Sequence, residues 1–594
     1  MVNRVFFLLL IITLLLCAAC QGKTSTVTVT QTQTTTVPAP ATTSPAPSTT
    51  SPAKANWWDK FGTPQYGGEI LTYANADNLM QGLDPYSSWG RMPYFEQLLM
   101  HNWTTDREIW DFTTQFVPDE YWVGQLAESW EIPDSQRIIF HLRKNVYWQN
   151  KPPTNGRQFT AEDVVYHYDR ILGTGYGFTS PSPFHMGRIN LWDKVTALDK
   201  FTVEFKFKKP TVHGFLTVTE ISGQNAIEPR ELVEMENGFK DWKNGTGTGP
   251  WILTDYTAGS LITYSKNPDY WGYDPRYPQN KLPYCNTYKV VIIPDVSTAI
   301  AALRTGKIHQ MSDLTWQQSE TLAKSDPKIM QKKVPFNGVT IDMNVNVAPY
   351  TDLRVRKALQ MAIDIKTMAE TYYGGHAETT PTGFYNQAYV STGFCYPYKD
   401  WPQSLKDEYS FNPKMAKDLL TQAGYPNGFK TKVVTTGAAD VGALQIIKSY
   451  WKEIGVDLEI EMMEATAWMP IATSRKFDHM ICGPRGKSGA TIPPSVAIAL
   501  YQKDDMANFG GVNDPEYEAL FAKWNDCTDM NEAKSIMIAA QKRALEQHWS
   551  INTTSLFNYT VWQPYLKGYS GEAQLNIYTA YLWIDQNLKK SMGH

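Results

Sequence analysis

The chain has 594 residues, of which 42% are hydrophobic, 13% aromatic and 19% charged. Its 55 Lys and Arg residues nearly balance its 59 Asp and Glu residues, which leaves a formal net charge of −4. This composition excludes a collagen, a disordered chain and a typical nucleic-acid-binding protein, which carries a basic surplus. At roughly 150 residues per domain, the length predicts three or four domains with substantial cores.

The N-terminus has the pattern of a bacterial lipoprotein signal. Arg4 precedes an apolar run over residues 5–16, which is too short to span a bilayer because a spanning helix needs about 20 residues. Small residues then precede Cys20, which resembles a lipobox, although Cys17 stands where Leu or Val is usual. We predict a signal peptide over residues 1–19 and lipidation of Cys20. The alternative is a signal peptide with two incidental cysteines.

Residues 20–56 are predicted to form a lipidated cysteine followed by a flexible tether. The 35 residues from 21 to 55 contain twelve Thr, four Ser and five Pro, and only Lys23 and Lys54 are charged. Such a segment cannot bury enough apolar surface to offset its ordering entropy. No later stretch approaches the length and apolarity of a membrane-spanning helix.

Regular elements then alternate along the chain. Alternating apolar residues predict strands over 68–73, 137–142, 202–207, 261–265, 289–293 and 456–462. Helical spacing and capping signals, including Thr160 with Asp163 and Asn412 before Pro413, predict helices over 160–172, 352–365, 413–423 and 531–547. Strands alternating with helices favour an α/β or α+β architecture.

The cysteines beyond the signal leave two interpretations open. Cys285, Cys395, Cys482 and Cys527 are far apart in sequence and form no CxxC motif. They are compatible with one or two disulfides or with free buried thiols.

No catalytic motif is present. The segment 483–488 (GPRGKS) resembles the end of a phosphate-binding loop, but its first glycine is too close to the second. The segment 245–249 (GTGTG) lacks the dinucleotide-binding spacing, and neither HExxH nor GxSxG occurs. His376 and Glu378 are interpreted as part of a surface turn rather than a metal pair. We therefore predict no enzyme activity, no catalytic residue, no cofactor and no metal.

A series of ordered motifs resembles family 5 of the extracellular solute-binding proteins, the dipeptide- and oligopeptide-binding type that serve ABC importers. The diagnostic segments are 126–130 (LAESW), 140–148 (FHLRKNVYW), 159–166 (FTAEDVVY), 247–251 (GTGPW), 302–308 (ALRTGKI), 352–359 (DLRVRKAL) with 362–364 (AID), 416–420 (AKDLL), 423–429 (AGYPNGF) and 454–456 (IGV). The resemblance covers about residues 67–568.

The resemblance implies an α/β, two-lobed, periplasmic-binding-protein type II-like fold with an additional inserted domain and a ligand cleft between the lobes. Lobe I would comprise residues 62–93, 246–336 and 549–594, the insert 94–245 and lobe II 337–548. Closure would trap the ligand and create the surface that a permease reads. The implied partners are a peptide or small-molecule ligand, ABC permease subunits and, through the lipid, the cell membrane, with no nucleic acid. The protein would be extracytoplasmic.

The ligand is harder to predict. Peptide-binding members hold the α-amino group with an Asp that usually follows a Gly-Trp pair on a lobe II loop. That loop should follow residues 476–481, where this chain reads CGPRGKSG over 482–489. Arg485 and Lys487 replace the expected residues, so they face an anionic ligand group or lie in solvent.

Aromatic residues suggest a second ligand class. Tyr86, Trp89 and Trp468 fall near segments expected to line the cleft, and aromatic rings can stack on sugars or simply pack in a core. Peptide uptake is the leading hypothesis. Binding of an oligosaccharide or another non-peptide solute is the alternative, and a cell-surface enzyme or adhesion module is a third.

Overall fold

The computed structural model describes residues 55–594 apart from 88–91, 115, 183–190, 220–224, 384, 386, 438, 484–491, 574 and 576–577. Residues Asn56–His594 form one compact unit. Within the described residues, no helix combines the length and the apolar character needed to cross a membrane.

The strands are numbered in chain order. They are β1 (Glu69–Ala74), β2 (Leu99–His101), β3 (Trp122–Gly124), β4 (Ala127–Asp134), β5 (Arg137–Leu142), β6 (Trp192–Asp199), β7 (Thr202–Phe207), β8 (Trp251–Thr257), β9 (Leu261–Lys266), β10 (Tyr273–Asp274), β11 (Tyr277–Lys281), β12 (Thr287–Ile292), β13 (Gln310–Leu314), β14 (Met330–Phe336), β15 (Thr340–Met343), β16 (Ala377–Pro381), β17 (Phe429–Thr436), β18 (Val456–Met463), β19 (Met480–Ile481), β20 (Ser550–Asn552), β21 (Thr554–Trp562), β22 (Leu566–Lys567) and β23 (Trp583–Ile584).

The α-helices are numbered in the same way. They are α1 (Leu79–Gly82), α2 (Ala161–Leu172), α3 (Gly214–Thr219), α4 (Arg230–Glu234), α5 (Val296–Arg304), α6 (Trp316–Ser325), α7 (Leu353–Met361), α8 (Ile365–Thr367), α9 (Gln403–Glu408), α10 (Pro413–Gln422), α11 (Val441–Glu453), α12 (Ala465–Ser474), α13 (Pro494–Ala499), α14 (Pro515–Asp526), α15 (Met530–Gln547) and α16 (Gln586–Ser591).

Three sheets organise the chain. The large sheet has the order β14-β21-β13-β1-β12-β9-β8, with β16 also paired to β21. The second sheet has the order β18-β17-β19-β15-β20, and the third has the order β4-β5-β7-β6. Below, the first lobe is the part built around the large sheet, the second lobe surrounds the five-stranded sheet, and the insert surrounds the four-stranded sheet.

The predicted domain boundaries stay a prediction, and strand pairing adds one detail to them. β16 lies inside the segment 337–548, yet it pairs with β21 of the large sheet through Ala377 opposite Leu556 and Pro381 opposite Thr554. The second-lobe segment therefore contributes a strand to the sheet of the first lobe.

The local sequence signals explain several elements. Val203, Phe205 and Phe207 alternate inward along β7 and pack in the core of the insert. The helix α2 begins with the predicted capping box, in which Thr160 and Asp163 satisfy each other's backbone N–H groups. The predicted helix over 352–365 is instead interrupted after Met361. The chain restarts as α8, where Asp364 accepts a hydrogen bond from the Thr367 N–H at 2.9 Å.

Close backbone approach accounts for the glycines of the GTGPW motif. A Cβ on Gly247 would lie 1.9 Å from the carbonyl oxygen of Tyr94, and the Gly249 N–H donates to that oxygen at 2.9 Å. The two chain segments at 94 and 247–249 therefore lie side by side, where a larger residue would force them apart.

Of the two interpretations of the cysteines, the structure agrees with free buried thiols rather than disulfides. Cys285, Cys395, Cys482 and Cys527 are each buried and form no disulfide. Burial raises the pKa of Cys285, Cys395 and Cys482 to about 12, so these thiols stay protonated and pack as small apolar groups.

Candidate ligand-binding site

In the described structure the chain passes between the large sheet and the five-stranded sheet at four places, because β16 of the large sheet lies between β15 and β17, and two of these crossings are adjacent. One of the two adjacent crossings joins β14 to β15, and the other joins β20 to β21. Thr553 holds them together, because its N–H and its hydroxyl both donate to the Val339 carbonyl, at 3.2 and 2.8 Å. Thr340 and Asn552 are paired across the same point. These two adjacent crossing segments therefore lie side by side and are called the hinge below.

The hinge lies at one edge of the five-stranded sheet. The strands β17, β18 and β19 run parallel, so their carboxyl ends, including Thr436 and Ile481, meet at a common edge. The strand β15 runs antiparallel to β19 and therefore begins at this edge. Ligands of open α/β sheets bind outside the carboxyl ends of the strands. This edge, together with the hinge, is the candidate ligand-binding site.

Two hydroxyl groups at this edge have no protein partner in the described part of the chain. They are Thr436 Oγ1, at the end of β17, and Ser555 Oγ, two residues beyond the second crossing, and both are buried. A buried hydroxyl that lacks a hydrogen bond is costly, which makes these two groups candidates for contact with a polar ligand.

A carboxylate close to the same edge is already occupied. Asp440 follows β17 by four residues and accepts hydrogen bonds from the hydroxyls of Tyr372 and Tyr373, at 2.7 and 2.9 Å. It also caps α11 through the Ala443 N–H at 2.9 Å. Burial and the adjacent carboxylate raise the pKa of both tyrosines, which remain donors. Asp440 is therefore a structural group rather than a free anchor for a cation.

Tyr86 lies where the first lobe meets the insert. Its hydroxyl donates to the Ser180 carbonyl at 3.0 Å, and its own carbonyl accepts from the Ser182 hydroxyl at 2.7 Å. The Arg170 guanidinium lies 4.8 Å from the centre of the Tyr86 ring. Tyr86 is thus held in place by the insert, and its predicted role in ligand binding stays a prediction.

A buried charge network fixes this junction. Arg170 pairs with Asp84 and with Glu228, each at 2.8 Å, and Glu228 also contacts His167. Burial alone would raise the pKa of Glu228, but His167 and Arg170 lower it to about 2. The network joins the loop that carries Tyr86 to α2 of the insert.

Trp468 lies in α12 and is only 2% exposed. Its indole N–H donates to the Val434 carbonyl at 3.2 Å, and its ring meets Phe509 edge-on at 5.5 Å. The ring is covered by protein in this state, and no contact joins it to Tyr86 in the described residues. Its predicted role as a ligand platform also stays a prediction.

The other predicted site residues lie outside the described residues. These are Trp89, Arg485 and Lys487, together with the predicted lipidation site Cys20.

The side chain of His376, weighed in the sequence analysis as a possible metal ligand, contacts other protein side chains. His376 hydrogen-bonds Tyr559 and, at 3.2 Å, Glu320, and its ring stacks 5.2 Å from Trp316. The described residues contain no group of three or more His, Cys, Asp or Glu side chains that could hold a metal ion.

Thr436 and Ser555 were not predicted from the sequence. Small hydroxyl residues are frequent in strands, and nothing in their local pattern separates an unpartnered hydroxyl from a paired one. Only the strand order, which brings the end of β17 to the hinge, identifies them.

A family model describes most of this chain. Residues 122–505 match the model "Bacterial extracellular solute-binding proteins, family 5 Middle". Heme-binding protein A of Haemophilus influenzae is 27% identical over 469 residues, which are 75% of this chain and 81% of that protein. Di/tripeptide-binding protein 1 of Pseudomonas aeruginosa is 26% identical over 468 residues, covering 74% and 81% of the two chains.

A solved structure has the same fold. The periplasmic binding protein DppA from Helicobacter pylori, in complex with the peptide STSA, superposes with a TM-score of 0.69 and 23% identity. The alignment covers 88% of this chain and 99% of DppA. The fold is therefore the two-lobed α/β fold of periplasmic binding proteins. The family match over residues 122–505 shows that the chain belongs to family 5 of the bacterial extracellular solute-binding proteins.

Proposed function

We propose that this chain captures peptides outside the cytoplasm and delivers them to the membrane-spanning subunits of an ABC importer. The observation that carries the proposal is the family match over residues 122–505, since this family includes a di/tripeptide-binding relative and a homologous fold solved with a bound peptide. The two adjacent crossing segments support it, because short connections between lobes can act as a hinge.

Ligand binding would favour the closed arrangement of the lobes. A peptide between the lobes loses water on both faces, so its N–H and C=O groups need protein partners. We assign Thr436 Oγ1 and Ser555 Oγ as two of these partners, because both are buried and unpartnered in the described structure. The ligand shifts the population toward closure to the extent that it binds the closed state more tightly than the open one.

The N-terminus would keep the receptor at the membrane. The signal over 1–19, Cys20 and the tether to residue 56 fit an acylated cysteine that carries the binding domain away from the bilayer. Expression in a bacterial host followed by detergent-phase partitioning and N-terminal mass analysis tests this. The wild-type chain should enter the detergent phase with a diacylglyceryl mass on Cys20, and Cys20→Ser should not.

A thermal-shift screen of the purified binding domain tests the ligand class. The panel contains dipeptides, tetrapeptides, haem, an oligosaccharide and small anions. A ligand at 100 times its Kd adds about 2.7 kcal/mol to stability. We expect stabilisation by peptides, and we expect each of Thr436→Val and Ser555→Ala to weaken binding about 5- to 10-fold, the loss of one hydrogen bond. Labelled peptide should be recovered intact after incubation, which separates a receptor from an enzyme.

One feature favours a second ligand class. The segment 482–489 carries Arg485 and Lys487 where peptide-binding members have an Asp after Gly-Trp. A pair of cations suits an anionic group better than a peptide ammonium group. Stabilisation by an oligosaccharide or an anion, with no effect of any peptide, would replace the peptide proposal with a non-peptide solute.

A further inference from the structure

A cavity lies between the insert and the second lobe, and its described lining residues include none of the hinge. Its volume is about 620 Å³, within the range of roughly 300–1,000 Å³ typical of small-molecule sites. On the insert it is bordered by β4, β5, the end of β7 and the start of α3. On the second lobe it is bordered by Thr528 and Met530, at the N-terminal end of α15. Neither Tyr86 nor Trp468, the two predicted ligand residues that the structure describes, lines it.

The walls of this cavity are largely apolar. Trp130 and Phe215 lie together on one side, with ring centroids 5.6 Å apart. Ile132 is 56% exposed, which is unusual for a large aliphatic side chain on a strand, and Met530 adds a flexible apolar group from the second lobe. These side chains form a surface that suits the ring or alkyl body of a small molecule.

One end of the cavity is acidic. Asp119 and Glu120 lie in a single 3-10 turn, and neither forms an ion pair in the described part of the chain. Asp119 Oδ1 is buried and has no hydrogen-bond partner there. The other acidic wall residue, Asp134, is already paired with Arg137 at 2.8 Å. The unpartnered buried carboxylate oxygen at this end is therefore that of Asp119, and the exposed Glu120 lies beside it.

We propose that this cavity binds a small organic cation with an apolar body, such as an arylalkyl amine. The ammonium group would donate hydrogen bonds to the Asp119 carboxylate, and the ring would lie against the surface formed by Trp130 and Phe215. Because the walls come from both the insert and the second lobe, an occupant bridges the two and favours the state in which they are in contact. The site is separate from the ligand-binding edge at the hinge, so the proposal does not depend on the ligand class of that edge.

The protonation of Asp119 makes binding of a cation at this cavity sensitive to pH. Burial, reinforced by Glu120 and opposed by Lys534 of α15, raises the pKa of the Asp119 carboxyl to about 7. The other charged lining groups are already paired, since Arg137 lies 2.8 Å from Asp134 and 3.5 Å from Glu204. An ammonium ligand binds the ionised carboxylate, so its affinity should fall as the pH drops below 7 and level off above it. A neutral ligand should show no such dependence.

Calorimetric titration of the full binding domain with phenethylammonium tests the site. The neutral 2-phenylethanol and the anionic 3-phenylpropionate are the matched probes. We expect the cation to bind at least tenfold more tightly than either, and about tenfold more weakly at pH 6 than at pH 8. Asp119→Asn should reduce the affinity at least tenfold, while Glu128→Gln, an exposed carboxylate on β4 outside the cavity, should not change it.

A second variant keeps the test decisive if Asp119→Asn perturbs folding. Met530→Lys would place an ammonium group beside the same carboxylates and should exclude the probe. Equal binding of the cation and the alcohol, no response to either variant, or displacement of the cation by a ligand of the hinge edge would each overturn the proposal. The last outcome would reassign the probe to that edge and leave the proposed transport function intact.

Discussion

Two arginines on α7 differ in their surroundings, although both belong to the family motif DLRVRKAL. Arg356 is buried, and it donates to the Tyr350 carbonyl at 2.7 Å and to the Gln547 carbonyl, at the end of α15, at 2.9 Å. Arg354 lies at the surface, where it pairs with Asp352 at 2.6 Å. Burial lowers the pKa of Arg356 to about 10, so it stays charged at neutral pH.

We expect Arg356→Lys to destabilise the protein by about 2–3 kcal/mol, because a lysine cannot reach both carbonyls with the guanidinium fork. Arg354→Lys is the matched control and should change stability by less than about 0.5 kcal/mol. Urea denaturation of the two variants measures the difference. Equal midpoints would show that the buried contacts of Arg356 add nothing.

The stability of the folded protein should depend on pH through the buried His213. It is buried, its Nε2–H donates to the Trp524 carbonyl at 2.7 Å, and its ring stacks 4.1 Å from the Trp524 ring. Burial lowers the pKa of His213 from 6.5 to about 4. The unfolded chain therefore binds a proton that the folded chain does not, between these two values. The contribution of His213 is complete above pH 6.5 and is lost as the pH falls toward 4.

The expected loss between pH 7 and pH 5 is about 2 kcal/mol, since one pH unit corresponds to about 1.4 kcal/mol. His213→Gln keeps a donor for the Trp524 carbonyl but cannot be protonated, so its melting temperature should fall less over this pH range. His141→Gln, at a more exposed histidine on β5, should behave as the wild type. The prediction fails if all three proteins lose the same stability on acidification.

At the scale of elements, Phe116 connects the insert to the second lobe. It is 6% exposed and belongs to a hydrophobic cluster otherwise built mainly from second-lobe residues. Its ring stacks on Tyr389 and meets Phe394 edge-on, with both pairs of centroids 5.9 Å apart. The Phe116 N–H also donates to the Tyr389 hydroxyl at 3.2 Å. This contact and that of His213 join the two parts away from the hinge.

Phe116→Ala should cost about 3–5 kcal/mol, because it leaves a cavity in the cluster. We also expect faster hydrogen exchange in the second-lobe segments around Tyr389 and Phe394, since the insert no longer covers them. Ile109→Ala is the control, because Ile109 is 65% exposed in the same part of the chain. Unchanged exchange in both variants would exclude a role for Phe116 in holding the insert against the second lobe.

The elements predicted from the sequence are those with strong local signals. The strands over 137–142 and 202–207 agree with β5 and β7, and Asn412 caps α10 as expected. The break after Met361 was missed, because apolar residues continue at helical spacing through Ile363. Pairing of β16 with β21 and the contacts of Phe116 depend on residues more than 170 positions apart, which local patterns do not encode.

The site was less predictable than the fold. The sequence proposes Trp468 as an aromatic residue near the expected cleft, and its role in ligand binding stays a prediction, although its ring is buried in this structure. Thr436 and Ser555 carry no local signal, and their unpartnered hydroxyls become visible only when the sheet order brings them to the hinge. Motif resemblance identifies a scaffold, whereas ligand contacts depend on which side chains the scaffold leaves unsatisfied.

At the scale of the whole molecule, the two crossing segments approach each other closely. Gly338 lies in the first crossing, and a Cβ on it would lie 1.8 Å from the Thr554 carbonyl oxygen in β21, which follows the second crossing. Gly338→Ala must therefore push the segments apart and weaken the bonds from Thr553 to Val339. The expected destabilisation is about 1–3 kcal/mol, the usual cost of overpacking.

The same variant should change the equilibrium between the lobes, because the hinge sets the angle through which they rotate. Small-angle scattering should give a larger radius of gyration for Gly338→Ala than for the wild type in the absence of ligand, and a smaller contraction on adding one. Gly383→Ala is the control, since a Cβ there would lie 3.5 Å from the Leu545 side chain, an ordinary contact. Identical scattering of all three proteins would mean that the two crossings tolerate separation and that closure is governed by the contacts of the insert alone.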